Sequence, residues 1–162
     1  MSKLKSNVSW TAAIEGNDLV VSSIEATCFG GAHDPPDKGK TASGIAHNGT
    51  DLTLMRIALP VVKSDKRTMV SPVAFVPRIP WETKAIVWSD DDPSRTVECI
   101  LIDNGPDVAD DPTHALALNP NVVLKFDPTA DPMQVARNWS KPNFFYRIVG
   151  GAKFAPASAI LN

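Results

Sequence analysis

Fourteen prolines and nine glycines are spread along 162 residues. Together they leave little room for long helices. Proline removes a backbone donor and clashes with the preceding turn, and glycine loosens any regular element it enters. Between these breakers lie short apolar runs rich in β-branched residues: 18–29 (DLVVSSIEATCF), 52–62 (LTLMRIALPVV), 70–76 (VSPVAFV), 84–89 (KAIVWS), 96–103 (TVECILID) and 121–127 (NVVLKFD). Val97, Cys99 and Leu101 alternate with Thr96, Glu98 and Ile100, the period-two pattern of a half-buried strand. The chain is therefore expected to be all-β with minor α, its short strands forming a barrel or sandwich. Residues 131–139 predict a short helix, with Asp131 as N-cap and Pro132 at the first helical position. A shorter helical turn is expected at 113–118, and the segment 144–161 reads as a final strand and tail.

The length suits one domain, 1–162 with a core over about residues 19–150. No internal repeat or long linker divides it. With 43% hydrophobic residues, 21% charged residues and a mean hydropathy of −0.08, the composition is that of a water-soluble globular chain. A net charge of −2 supplies no basic excess to neutralise a phosphate backbone, so nucleic acid is not the expected partner. No apolar run is long enough to span a membrane. The opening MSKLKSNVSWTAAIEGNDL lacks the continuous apolar region of a signal peptide. Cys28 and Cys99 allow one disulfide or two buried thiols. They are too few and too far apart for a paired zinc site. No metal and no cofactor are expected, and the expected state is a monomer.

Three features could carry chemistry. Residues 28–44 (CFGGAHDPPDKGKTASG) gather His33, Asp34, Thr41 and Ser43 among glycines and prolines. This suits a binding loop and equally an ordinary long turn. Residues 96–107 run apolar up to Ile102 and then deliver Asp103, Asn104, Gly105 and Pro106. A carboxylate at the end of a buried strand is held rigidly, and partial desolvation would raise its pKa toward that of a general acid. The plainer reading is a turn in which Asp103 or Asn104 caps its own backbone. The aromatics Phe29, Trp81, Trp88, Trp139 and Tyr146 could stack on sugar rings, or could simply fill core.

In order, these segments resemble the double-psi β-barrel domains of expansins, rare lipoprotein A and related lytic transglycosylases. ATCFGGAHD (26–34) is similar to the expansin opening, and GKTASG (39–44) to the Thr-Ala-Ser-Gly signature of rare lipoprotein A. IALP (57–60) resembles the following Leu-Pro strand. RIPWETKAIVWS (78–89) resembles the Leu-Pro-x-Gly-Thr step, with Glu82 in place of the glycine. VECILIDNGP (97–106) resembles the strand ending Asp-Arg-Gly-Pro, and HALALNPNVVLKF (114–126) falls where the family carries Ile-Asp-Leu-Ser and a helix. The matches cover roughly residues 26–126, interrupted by an insertion between Pro60 and Arg78.

The resemblance implies a six-stranded double-psi barrel with one or two short helices. It also implies an extracytoplasmic enzyme, secreted or delivered to the wall, that cleaves a wall polysaccharide. The implied activity is that of a peptidoglycan lytic transglycosylase or muramidase. Asp103 would be the acid/base and Asp34 a second catalytic carboxylate. Thr41, Ser43, His33, Asn104 and Trp81 would bind substrate. Three departures stand against a complete family site. Ile45 replaces an acidic residue, Arg56 a histidine, and Ala117 the aspartate of Ile-Asp-Leu-Ser; His33, His47 or Asp51 are the groups that could compensate. The alternative is a non-catalytic, expansin-like module that binds or loosens the wall. A further alternative is a cysteine hydrolase using Cys28 with His33 or His47.

Overall fold

The computed structural model describes residues 10–29, 43, 55–62, 65–71, 74–107, 114–131 and 139–156. The elements run β1 (Thr11–Glu15), β2 (Asp18–Cys28), β3 (Arg56–Val62), β4 (Arg67–Ser71), β5 (Ala74–Val76), β6 (Lys84–Ser89), β7 (Asp92–Asp107), β8 (His114–Leu118), α1 (Pro120–Phe126) and β9 (Ser140–Ile148). A single 3-10 turn, Gly151–Phe154, follows.

Six strands close into a barrel. Around its circumference β2 pairs with β9, β9 with β6 and β6 with β7, all antiparallel. β7 then pairs with β3 in parallel, β3 with β8 antiparallel, and β8 returns to β2 in parallel. Closure leaves these six strands without a free edge along their paired lengths. Exchanging β2 with β7, β3 with β8 and β6 with β9 reproduces every one of these pairings with its direction. The first three barrel strands are thus wired to the last three as the last three are to the first, although the sequence shows no repeat.

The interior is filled by alternate residues of each strand. Leu19, Val21, Ile57, Leu59, Ala85, Val87, Cys99, Leu101, Leu116, Leu118, Phe144 and Tyr146 are all buried in one cluster. The alternation expected in β7 is present: Val97, Cys99 and Leu101 are buried, whereas Thr96 and Glu98 are exposed and Ile100 is half-buried. The insertion after Pro60 folds as the β4–β5 hairpin, added to the end of β3 beyond the part that pairs with β8. The barrel strands are therefore not interrupted by it. A second hairpin, β1–β2, turns at Gly16, whose φ of 62° favours glycine.

Two expectations are corrected. Residues 113–118 were expected to make a helical turn, but His114–Leu118 is strand β8. It lies between β2 and β3, and Ala115, Leu116, Ala117 and Leu118 are all buried. A strand hidden on both faces shows a continuous apolar run that periodicity cannot separate from a helix. Residues 121–127 read as a strand, but Pro120–Phe126 is α1. Asn119 caps it by accepting the Val122 N–H at 3.2 Å, and Pro120 stands in the first turn, where its missing donor costs nothing. The helix expected at 131–139 falls largely on residues 132–138, which lie outside the described residues.

Candidate functional site

The parallel pair β3–β7 builds the surroundings of Asp103. Ile57 is opposite Leu101 and Ala58 opposite Asp103, so Ile102 is an extra residue in β7. A bulge of this kind re-aims the side chains beyond it. The Ile102 carbonyl accepts the Ser43 N–H at 3.2 Å, which docks Ser43 one residue before Asp103. Asp103, Asn104 and Ser43 are all half-buried. Asp34, His33 and Thr41, together with Ile45, His47 and Asp51, lie outside the described residues.

Across the barrel, Thr27, Ala117, Ala58 and Asp103 form one register row over β2, β8, β3 and β7. Residues paired in register share a face. The two alanines are buried, at 3% and 0% exposure, so the middle of the row is covered and only its ends reach the surface. Ala117 is the position that the sequence resemblance matches to an aspartate, and a carboxylate there would stand about 10 Å from Asp103, two strand spacings away. The exchange that relates the two halves of the barrel swaps Ala58 with Ala117 and Thr27 with Asp103. At the position related to Asp103, the chain has a hydroxyl rather than a second carboxylate.

A short polar chain runs outward from Asp103. Its Oδ1 accepts the Asn104 backbone N–H at 2.8 Å, a local contact one residue on rather than the two of an Asx-turn. Asn104 Oδ1 accepts from Arg78 Nη1, also at 2.8 Å. The Arg78 guanidinium lies over the Trp81 ring, 4.7 Å from its centroid. Trp81 belongs to the turn before β6. That turn is fixed to β7 by two backbone bonds, Glu82 N–H to the Leu101 carbonyl at 2.8 Å and Leu101 N–H to the Thr83 carbonyl at 3.0 Å. Glu82 takes φ 66°, a left-handed conformation natural to glycine.

Gly105 explains how β3 and β7 come so close. A Cβ at this position would stand 3.0 Å from the Leu59 carbonyl carbon, 3.1 Å from the Pro60 nitrogen and 3.2 Å from the Leu59 oxygen. All three are backbone atoms, which cannot rotate away.

The remaining aromatics separate by location. Tyr146 is fully buried in the barrel and burial pushes its phenol pKa upward, so it is no sugar platform. Its inward position on β9 decides this. Trp139 packs edge-on against Phe144, and Trp88 stacks on Phe145 across β6 and β9 at 5.3 Å. Cys28 and Cys99 form no disulfide. Cys99 is buried, and desolvation, with the nearby Glu98 charge, pushes its thiol up to about 12. Cys28, expected to be buried as well, is only half-buried at the end of β2, one residue past the last β2 partner on β9. Among the described residues no cluster of His, Cys, Asp and Glu could hold a metal ion, and no helix is long and apolar enough to cross a membrane.

Three residues beside or related to this region were not singled out from the sequence. Arg78 precedes an ordinary Pro-containing turn, so nothing local marks it. Thr27 is placed by pairings to residues far along the chain. Glu25 is a buried carboxylate accepting the Ser140 hydroxyl at 2.8 Å, in a strand whose apolar pattern gave no reason to single it out. Comparison with protein-family models, with curated protein sequences and with solved structures found no match.

Proposed function

We propose that this chain is a wall-polysaccharide enzyme of the double-psi barrel type, a peptidoglycan lytic transglycosylase or muramidase with Asp103 as acid and base. The observation that carries the reading is the placement of Asp103. It is a half-buried carboxylate just beyond the β7 bulge, with Ser43 of the Thr-Ala-Ser-Gly segment docked one residue before it. Three further features support the family resemblance. The two parallel pairings are related by exchange of the barrel halves. Glu82 has the backbone conformation that the family's glycine would favour. Gly105, matching the glycine of Asp-Arg-Gly-Pro, stands where only a hydrogen fits without displacing backbone.

In this reading Asp103 donates a proton to the glycosidic oxygen as the bond to the anomeric carbon breaks. The resulting carboxylate takes the proton of the sugar's C6 hydroxyl as that oxygen closes on the anomeric carbon. The product is a 1,6-anhydro ring, formed without water. One carboxylate serves both steps, which agrees with an alanine at 117. Hydrolysis by two carboxylates would need a partner for Asp103, and Asp34 is the candidate. Asn104 and Trp81 would contact the glycan beside the reacting bond, with Thr41 and His33 contributing from the sequence segment that precedes β3.

The second reading is a non-catalytic, expansin-like binding module. It is favoured by the contact of Asp103 Oδ1 with its neighbour's backbone N–H, which suits a structural carboxylate. Purified sacculi distinguish the two. Asp103→Asn keeps shape but cannot shuttle a proton, so muropeptide release should fall at least about a hundredfold, the usual worth of a general acid/base. Full release by the variant would overturn the assignment of Asp103. A folded wild type that binds sacculi and releases nothing would establish the binding module.

A further inference from the structure

We infer that Arg78, laid on Trp81, is a specificity-determining residue that reads a carboxylate on the glycan. The inference rests on the wall-polysaccharide reading and adds to it the charge of the substrate. Two contacts immobilise the guanidinium: its Nη1 donates to Asn104 Oδ1 at 2.8 Å, and its Cζ lies over the Trp81 ring, 4.7 Å from the centroid. Fixing an arginine in this way removes much of the rotamer entropy that binding would otherwise have to overcome. Arginine has five N–H donors in a fork that matches a carboxylate, and among the described residues only one of those on Arg78 is used, by Asn104.

Three of the four other described arginines hold a carboxylate, and Arg56, whose Nε is buried without a partner among the described residues, is the exception. Arg67 holds Asp65, Arg95 holds Asp92, and Arg147 holds both Asp18 and Glu15. Arg78 is half-buried and holds no carboxylate among the described residues. A partly desolvated, preorganised guanidinium with spare donors has the chemistry to take an anion, and its one hydrogen-bond partner among the described residues is the residue that follows Asp103. A glycan lying against the end of β7 would bring its own carboxylate to it, whether borne on the ring, on an ether substituent or on an attached peptide. The Trp81 ring beneath attracts the guanidinium and covers one side of it.

The net charge of −2 makes the effect separable from general electrostatics, because the protein as a whole does not attract a polyanion. The test is affinity electrophoresis of the full chain in gels containing carboxymethyl chitin or neutral glycol chitin. The two polymers share a backbone and differ in the carboxylate. Wild type should be retarded more by carboxymethyl chitin. Arg78→Gln should lose about tenfold or more in affinity for that polymer, as expected for a charge-assisted contact, and keep its affinity for glycol chitin. Arg78→Lys, which keeps charge but loses the fork and much of the stacking, should fall between them. All three proteins are compared at matched thermal stability, so a folding defect in the glutamine variant leaves the lysine variant to decide. Equal retardation of wild type by the two polymers overturns the inference and leaves the wall-polysaccharide reading intact. So does an equal loss on both polymers for either variant. Wild type retarded by neither polymer overturns the wall-polysaccharide reading, and the inference with it.

Discussion

Replacing Gly105 by alanine tests the packing that brings Asp103 into place. The added methyl would meet three backbone atoms of Leu59 and Pro60 at 3.0–3.2 Å. Relief therefore requires β3 and β7 to separate by a few tenths of an ångström. Overpacking of this kind costs about 1–3 kcal/mol. The loss of glycine's freedom in the unfolded chain returns about 0.4–1 kcal/mol. The net destabilisation is then about 1–2 kcal/mol. At roughly 2.1 cal/mol/K per residue, the unfolding entropy of 162 residues is about 340 cal/mol/K. One kcal/mol is thus worth about 3 °C, and Gly105→Ala should lower the melting temperature by about 3–6 °C. Thermal unfolding followed by circular dichroism reads this directly. Ala58 and Leu59 oppose Asp103 and Asn104 across the same pair, so under the proposed wall-polysaccharide function muropeptide release should also fall, measured well below the transition. Gly16→Ala, with nothing within 4 Å of its Cβ but φ 62°, is the control for a purely conformational cost. A Gly105→Ala protein as stable as wild type would refute the close-approach argument.

Glu82→Gly relieves a left-handed residue, worth about 1–2 kcal/mol, against about 0.5–1 kcal/mol of added chain entropy; the melting temperature should hold or rise by up to about 4 °C, and a clear fall would show that the Glu82 side chain contributes binding energy of its own. Cys99 should resist iodoacetamide at pH 8 in the native protein, because its thiol is buried and pushed up to about 12, and Cys28 should react first; rapid labelling of Cys99 by mass spectrometry would contradict its burial. Asp18 is held below its ordinary value of 3.8 first by the Gly150 N–H and then by Arg147. Its stabilisation is therefore present above that value and lost as pH falls through the lower folded one. Asp18→Asn should accordingly melt lower than wild type at pH 7, with the gap narrowing in acid; a gap independent of pH would show that charge is not what Asp18 contributes.

How much was legible follows from where each signal lives. Lys84–Ser89 is a strand over the same residues as the apolar run 84–89, because its half-buried outward residues Ile86 and Trp88 are as apolar as the buried Ala85 and Val87. β7 is longer than its apolar run, Asp92–Asp107 against 96–103, since its exposed start carries charge rather than hydrophobicity. β8 and α1 were both misassigned, for one reason: each is a short, strongly buried apolar run. Only the pairing partners of β8 and the Asn119 cap of α1 distinguish strand from helix there. At the site, Asp103 was visible as the polar end of an apolar strand. Arg78 was not, because its contact with Asn104 joins residues 26 positions apart.

Local pattern was enough to give the class of fold: an all-β chain of short strands with a little helix. Proline and glycine act locally, and the two-residue period is a local property. Tertiary structure alone decided that β2 lies beside β8 and β3 beside β7 in parallel. It also decided that the two halves of the barrel exchange, and that Thr27, Ala117, Ala58 and Asp103 fall in one row. Those outcomes depend on which strands close the ring and in what register. Closure is settled by packing a shared interior between residues many tens of positions apart, and no window of neighbouring residues contains that information.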